Sequence, residues 1–465
     1  LTSIDVSTAA KTRGVLARLK CREADAAQLF RVTFVLSLLI RAAALMFARM
    51  TPFVSDARDY VEVATRMANG EHFIPYWPPG LPLYLEPLVM LGASPGVIRA
   101  SMLAFWSLTV WAIWRLAEAT GLKQYAWLVL LVMAWMPSAI QMSIEPLTQQ
   151  PVSAFLLLAI GAAVRAIETR AYKEYVLLGI ALACLGLTRP STLPFLVLLP
   201  VFAYWRSGKE YGRRSFAGPV LSLGLALALV FGWVAKTHRD TGAWMINNSN
   251  AVNLYFGNNP WTPLYRTWYF GSQAKPGSAE IHQFPEYERT VTAVNALPPL
   301  EASRTYKHLA VEYMKGHPGV FFLRTLNRIQ CFFGFDIFTS ANLRSQGGLG
   351  RRVFVLSMAL EVGLYLLIAA PSFFWIAARN GLWREWQALL MAGVIVVYAA
   401  PYWLSMSHPT YHYAIVVPLA VLGLFAWKNG SGKIRASRGW AAVGLLSAIQ
   451  LVWLFEMIQS FNRHA

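Results

Sequence analysis

The sequence predicts an all-α polytopic membrane protein of about eleven transmembrane helices, with two extracytoplasmic loop regions that carry juxtamembrane amphipathic helices. Two observations carry this. Of 465 residues, 56% are hydrophobic and only 14% charged, and the mean hydropathy is +0.43, far from a soluble enzyme of this length. The apolar residues also cluster in runs approaching the roughly 20 residues that cross a bilayer as a helix.

The runs lie near 30–49, 98–117, 125–141, 148–166, 174–188, 191–205, 216–235, 353–376, 386–404, 410–427 and 439–458. Those at 125, 174 and 191 are short for a crossing. Basic residues gather between them: Lys11, Arg13, Arg18, Lys20 and Arg22 in the N-terminal arm, Arg165, Arg170 and Lys173, then RSGKEYGRR at 206, RNGLWR at 379 and KNGSGKIRASR at 428. Read as cytoplasmic, these stretches put the alternate loops outside. The chain then divides into a cytoplasmic arm (1–29), an N-terminal transmembrane module (30–235) holding a first outer loop (50–97), a large extracytoplasmic region (236–352) and C-terminal transmembrane helices (353–465). The arm lacks the apolar core and cleavage site of a secretory signal, so the first helix is expected to remain as an anchor. Helix centres read as clean of charge, with the polar residues at outer ends and in outer loops, which argues against a transporter.

A net charge of +18 fits this loop pattern, and no basic helix interleaved with aromatics points to nucleic acid. Cys21, Cys184 and Cys331 show no CxxC spacing and support neither a disulfide framework nor a zinc site.

The first outer loop opens with SDARDYVEVATRMANG, which sets Asp56 and Asp59 one helical turn apart, and Tyr60, Val63, Ala64 and Met67 are expected to lay this helix on the bilayer. HFIPYWPPGLPLYLEPL follows, where Pro78, Pro79, Pro82 and Pro87 forbid one continuous helix. In the second region, HPGVFFLRTLNRIQCFF repeats Phe321, Leu323, Leu326, Ile329 and Phe333 at roughly helical spacing. A surface helix is expected there, with Arg324 and Arg328 level with lipid headgroups.

The order of these elements, with D-x-x-x-Y (Asp56, Tyr60), YWPPGLPLYL, SIEPLTQQPVSAFLLL at 143, GLTRPSTLPFL at 186, NLYFGNNP at 253, HPGVFFLRTLNRI at 317 and HPTYHYAIVVPLAVL at 408, resembles the GT-C superfamily of glycosyltransferases. Within it, the chain is similar to the bacterial branch of protein O-mannosyltransferase-like and aminoarabinose-transferase-like enzymes, over about residues 30–430. The resemblance implies a multi-pass enzyme of the inner (cytoplasmic) membrane with its active site facing the periplasm or exterior. It would move a monosaccharide from a polyprenyl-phosphate donor, with inversion, to a glycan, lipid or protein acceptor. Elementary chemistry agrees with that implication. Phosphate leaves without an acid to protonate it, so one carboxylate to take the acceptor's proton and cations to receive the phosphate suffice, unlike glycoside hydrolysis with its two carboxylates.

Asp56 matches the family's catalytic aspartate; local sequence also suits it to an N-cap, with Asp59 in the first turn. Asp59 and Glu145 are the supporting acids, Glu145 reading alternatively as a solvated helix end before Pro146. Arg189 must find water, headgroups or a phosphate. With Arg239, Arg324, Arg328 and His412 it forms the candidate donor-phosphate set. Relatives often carry Arg-Tyr in the last motif, where Thr410 here precedes Tyr411. Tyr60, Asn258, Asn259 and Trp261 are the candidate sugar or acceptor contacts, with Tyr265 and Trp268 beside them; an interfacial aromatic belt is the other reading of these rings. No HxxH or HExxH occurs, and a divalent metal, if used, would draw on Asp56, Asp59 and His408, although Ala57 stands where relatives often have a second acid. Asn247-Asn248-Ser249 reads as a chance glycosylation sequon, and GGLG at 347 as a connector. A lipid-linked glycan ligase or flippase and a non-catalytic assembly factor are the contrasting classes.

Overall fold

The computed structural model describes residues 23–211, 216–268, 270, 279–337, 339–340, 351–429 and 434–461; the basic N-terminal arm, Cys21 and the GGLG connector lie outside them. Helices dominate: α1 (Glu23–Ala48), α2 (Ser55–Ala68), α3 (Gly80–Met90), α4 (Pro95–Ser101), α5 (Leu103–Ala119), α6 (Ala126–Trp135), α7 (Pro137–Met142), α8 (Gln149–Thr169), α9 (Tyr172–Thr188), α10 (Pro194–Tyr211), α11 (Ala217–Thr241), α12 (Ser249–Gly257), α13 (Pro285–Asn295), α14 (Pro299–Gly316), α15 (Pro318–Phe333), α16 (Arg351–Ala378), α17 (Trp386–Leu404), α18 (Tyr413–Asn429) and α19 (Ala436–Phe461). Among the described residues the sole β pairing is an isolated bridge between Arg379 and Ile434.

The protein is a polytopic membrane protein. Among the described residues eight helical segments are long and apolar enough to cross a bilayer: α1, α4 with α5, α8, α11, α16, α17, α18 with the turn before it, and α19. α8 and α18 are sheathed by other helices, whereas α1, α11, α16 and α19 turn Val35, Leu39, Phe231, Leu356, Leu367 and Phe455 outward. The runs read as short are α6, broken from α7 at Met136–Pro137, α9 of 17 residues, and α10, whose 18 residues include a polar end.

The α6–α7 break places charge inside the bundle, contrary to the expectation of clean helix centres. Pro137 has no N–H to continue the α6 ladder, so the last carbonyls of α6 need other donors. Arg41 on α1 supplies them, donating to Met133 O at 3.2 Å and Ala134 O at 3.3 Å, and to Ala139 O at 3.2 Å, with its guanidinium 3.4 Å above the Trp106 ring. Glu361 on α16 takes the opposite pole, accepting from Ser138 N at 2.8 Å and Ser138 Oγ at 2.7 Å. A guanidinium at a helix C-terminus and a carboxyl accepting at the next N-terminus both complement the peptide dipoles.

The two ends of the bundle differ. At one, Glu118, Lys123, Arg165 and Glu174 form ion pairs and Arg379 donates to the last carbonyls of α18, Ala426 O and Trp427 O. At the other, α2 and α3 pack against α4 and α5 around Tyr60, Ala64, Leu81, Leu85 and Met102. A separate aromatic core of Tyr255, Phe256, Phe270, Tyr287 and Tyr306 joins α12, α13 and α14 beside them.

Two surface-helix expectations are corrected. The Tyr60, Val63, Ala64 face of α2 is buried against protein, not laid on the bilayer. α15 forms where expected but rotated: Arg324, Asn327 and Arg328 point inward, and Phe322, Leu323 and Leu326 point out. Buried carbonyls explain the rotation. Arg328 donates to Leu404 O at 3.1 Å and to Gly257 O, while Arg324 donates to Asn259 O at 3.0 Å and to Thr262 O.

Candidate functional site

At the α2 end of the bundle, two cavities meet at Trp77. The first, of about 680 Å³, is lined on its polar side by Tyr60, Arg189, Tyr402 and Tyr411 and on its apolar side by Leu198 of α10 and Val397, Ala400 and Leu404 of α17. Among its lining residues Arg189 alone is charged. Leu198 and Leu404 are 45% and 47% exposed, so the cavity opens sideways between α10 and α17.

Arg189 stands where α9 stops. Pro190 lacks an N–H and drives residue 189 out of helical geometry, to φ −149° and ψ 95°. The freed side chain donates from Nη2 to Thr148 Oγ1 at 2.7 Å and from Nη1 to the Tyr402 hydroxyl at 2.8 Å, with the Tyr411 ring 5.1 Å away. Two of its five N–H groups are thereby fixed, which aims the planar fork without exhausting it. Tyr60 lies 3.4 Å from the same Thr148 hydroxyl. Burial pushes the Tyr60 phenol well above its usual range, Arg189 opposing and the Asp56 carboxylate adding to the rise.

Asp56 is half-buried in the first turn of α2, within electrostatic reach of Tyr60, Tyr76 and Tyr411. Ser55, immediately before it, has φ 49° and is one of three described non-glycine residues in the left-handed region. Its Oγ lies 3.3 Å from Asp56 Oδ1. The N-cap position belongs to Val54, which has no side-chain cap, so Asp56 contributes as a first-turn acid.

Asp59 accepts from Trp77 Nε1 at 3.3 Å and lines the second cavity, of about 410 Å³, with Tyr76, Asn248, Asn295, Ser303 and Tyr306 among its walls. Glu145 is not a free acid. Arg99 grips it through Nε at 2.8 Å and Nη2 at 3.2 Å, and the same guanidinium holds Thr51 O at 2.8 Å. Burial raises the Glu145 carboxyl above its ordinary range, with the Arg99 bonds pulling it back.

The rest of the sequence-predicted set is dispersed. Arg324 and Arg328 are spent on buried carbonyls, and burial followed by the charge of Arg324 lowers Arg328 to about 9. Arg239 is exposed and pairs with Asp240 at 3.2 Å. His412 is buried under Tyr365 with Nδ1 2.9 Å from Phe332 O, outside both cavities. These four side chains do not converge with Arg189, because the carbonyls, acid and rings beside them are already their partners. Asn259 closes an Asx turn, its Oδ1 accepting from Trp261 N and Thr262 N at 2.9 Å each, and Asn258 bridges Leu254 O and Leu404 O at 3.0 Å each. Trp261 packs on Tyr287, Trp268 on Trp453, and Tyr265 is exposed. The NLYFGNNPW stretch thus forms the end of α12 and the turn after it, with Asn253 and Leu254 in the wall of the larger cavity and Asn258, Asn259 and Trp261 engaged within the protein. Asn247, of the chance sequon, is buried with Nδ2 on Tyr76 O at 3.0 Å. His408 caps the turn before α18, accepting from Thr410 N, and no group of three or more His, Cys, Asp or Glu with metal-binding geometry occurs among the described residues.

Sequence reasoning missed Thr148, Trp77, Asn248, Tyr306, Tyr402 and Tyr411. The signal for Trp77 was available in YWPPG, whose Gly80 packs against Thr188 of α9; Tyr402 carries none, since it is one aromatic residue among many in the apolar run of α17. No protein-family model and no curated protein matches this chain.

Proposed function

We propose that the chain is a GT-C-type glycosyltransferase that takes a monosaccharide from a polyprenyl phosphate and transfers it, with inversion, to an acceptor at the outer face of the inner membrane. The observation that carries this reading is Arg189. It is a single oriented cation at the head of an apolar cavity that opens sideways, with a half-buried carboxylate, Asp56, close by. A lipid phosphate is the ligand with that shape: an anionic head for the guanidinium and a hydrocarbon tail for α10 and α17.

In this reading α6 with α7, α9 and α10 also cross, giving eleven spans, and the Arg165 end faces the cytoplasm. Asp56 takes the proton of the acceptor hydroxyl as its oxygen attacks the anomeric carbon, and Arg189 receives the departing phosphate. Asp59 orients the acceptor through Trp77. Arg41 and Glu361, committed to the α6–α7 break, give no support to a flippase path.

The test is Asp56→Asn in purified protein reconstituted into liposomes with a short-chain polyprenyl-phosphate sugar. Release of polyprenyl phosphate should fall by about 10²–10⁴-fold while insertion and thermal midpoint hold. Wild-type turnover in that variant would overturn the assignment, and consumption of a diphosphate-linked oligosaccharide in place of the monophosphate would make the protein a ligase.

A further inference from the structure

The second cavity differs from the first in the charge of its lining and in where it opens. Its walls come from α2, the YWPPG loop, α12 with the residue before it, the end of α13, and α14, and its rim at Asn295 and Pro299 is exposed, so it opens beside the α12–α14 core. Its lining holds one carboxylate, Asp59, and no lysine or arginine. A phosphate or carboxylate ligand would find a like charge there and no cation. What the walls do offer is the rings of Trp77, Tyr76 and Tyr306 and the polar side chains of Asn248, Asn295 and Ser303, the Tyr306 hydroxyl already donating to Asn295 Oδ1 at 2.8 Å and the Trp77 N–H to Asp59. Flat rings beside short hydrogen-bonding groups suit a molecule with apolar C–H faces edged by hydroxyls.

One group in it is left wanting. Asn248 Oδ1 is buried and has no hydrogen-bond partner within the protein, a situation that costs about 1–3 kcal/mol unless a donor arrives from outside. A donor from a ligand or from solvent would satisfy it, either from this cavity or from the adjoining one of about 400 Å³ that Asn248 also lines, with Lys307 in its wall. The position of the cavity is the second constraint. Trp77 is common to both cavities, and Asp56 and Asp59 lie one turn apart on α2, with Asp56 acting electrostatically on Tyr76 of the second cavity and on Tyr60 of the first.

We infer that the cavity walled by Asp59, Tyr76, Trp77, Asn248, Ser303 and Tyr306 binds a neutral, hydroxyl-rich glycan, and that this glycan is the acceptor. The second clause rests on the transfer proposed above; the binding site itself does not. In the transfer, the acceptor oxygen forms a bond to the anomeric carbon and the bond from that carbon to the phosphate oxygen breaks. The acceptor proton passes to the Asp56 carboxylate, and the phosphate departs with the bonding electron pair as a dianion beside Arg189.

The test uses the full chain in lipid nanodiscs and saturation-transfer NMR. The probes are the methyl glycosides of glucose, galactose, mannose and N-acetylglucosamine; farnesyl phosphate is the probe of the Arg189 cavity. At least one glycoside should receive saturation, undiminished by excess farnesyl phosphate. Ser303→Trp, which fills the cavity, and Asn295→Trp at its exposed rim should each weaken that signal at least about tenfold while farnesyl phosphate binds within about twofold of wild type. Absence of transfer to all four glycosides, or transfer unchanged in the Asn295→Trp protein, overturns the inference. Should Ser303→Trp lose farnesyl phosphate as well, the rim variant decides alone. Farnesyl phosphate binding that ignores Arg189→Ala would sink the donor reading and leave the glycan site standing.

Discussion

Arg189 and Tyr402 are joined by a 2.8 Å hydrogen bond from Nη1 to the phenol oxygen, linking the end of α9 to the last turn of α17 at the polar head of the larger cavity. The bond fixes where the guanidinium points, and the Thr148 hydroxyl fixes it from the other side. Arg189→Ala should weaken binding of a short polyprenyl phosphate by about 10- to 150-fold, the worth of roughly 1.5–3 kcal/mol of hydrogen bonding to a charged group. Tyr402→Phe keeps the ring and removes the acceptor, and its loss should be about fivefold. Arg189→Lys should fall between the two, since an ammonium lacks the fork that reaches both partners. Titration calorimetry with farnesyl phosphate reads all three.

Gly80 is the hinge between the YWPPG loop and α9. A Cβ there would lie 2.5 Å from Thr188 Oγ1 and 2.6 Å from Thr188 N, so the loop reaches Arg189 only because residue 80 has no side chain. Gly80→Ala should cost about 1–3 kcal/mol, as overpacking at a backbone contact does, and should displace Trp77 from between the two cavities. Gly224 in α11 has open space around its would-be Cβ. Gly224→Ala should be neutral or stabilise by up to about 1 kcal/mol, the ordinary helix-interior gain. Thermal midpoints of the two variants check the contrast.

The sequence made the helices legible and the polar partners illegible. Apolar length is a one-dimensional property, so α1, α8, α11 and α16 to α19 could be placed from their runs, and the α15 periodicity was visible too. Which face of α15 turns inward was not. That depends on the carbonyls of Gly257, Asn259 and Leu404, which lie between 65 and 76 residues from their arginines in the chain. For the candidate site, Asp56, Asp59, Tyr60 and Arg189 were chosen from residue type and motif order, and the fold brings them to one end. Arg239, Arg324, Arg328 and His412 were chosen by the same reasoning and went elsewhere, because a cation's type says nothing of which carbonyl or acid will claim it first.

Arg99 ties the start of the first loop to the turn before α8. Its side chain is 1% exposed, and it meets Glu145 bidentately while also holding Thr51 O at 2.8 Å and, more loosely, Pro52 O at 3.5 Å. Arg99→Ala leaves Glu145 in a buried site without its counter-charge, a loss of about 3–5 kcal/mol for pairs of this kind. Arg58 on α2 is exposed, and trypsin should cut there sooner in the variant, since α2 loses the anchor at its entrance. Arg99→Lys can satisfy one carboxylate oxygen but not the fork and the carbonyl together, and should recover less than half of the lost stability. Unchanged cleavage at Arg58 would show that α2 is held by its packing alone.

The orientation of α15 makes opposite substitutions informative. Leu326 is 48% exposed on the outward line with Phe322 and Leu323, whereas Arg328 is fully buried with its donors on Gly257 O, Asn258 Oδ1 and Leu404 O. Had the helix lain with its arginines at the headgroups, Arg328→Met would be mild. In the observed packing it strips donors from buried carbonyls and should lower the midpoint in detergent and in liposomes alike, by about 3 kcal/mol or more. Leu326→Glu should leave detergent stability within about 0.5 kcal/mol, as surface changes do, yet reduce stability in liposomes, where the outward line meets hydrocarbon or headgroups. Denaturation of both variants in the two media distinguishes the orientations: a mild Arg328→Met beside a detergent-sensitive Leu326→Glu would mean that α15 is turned the other way.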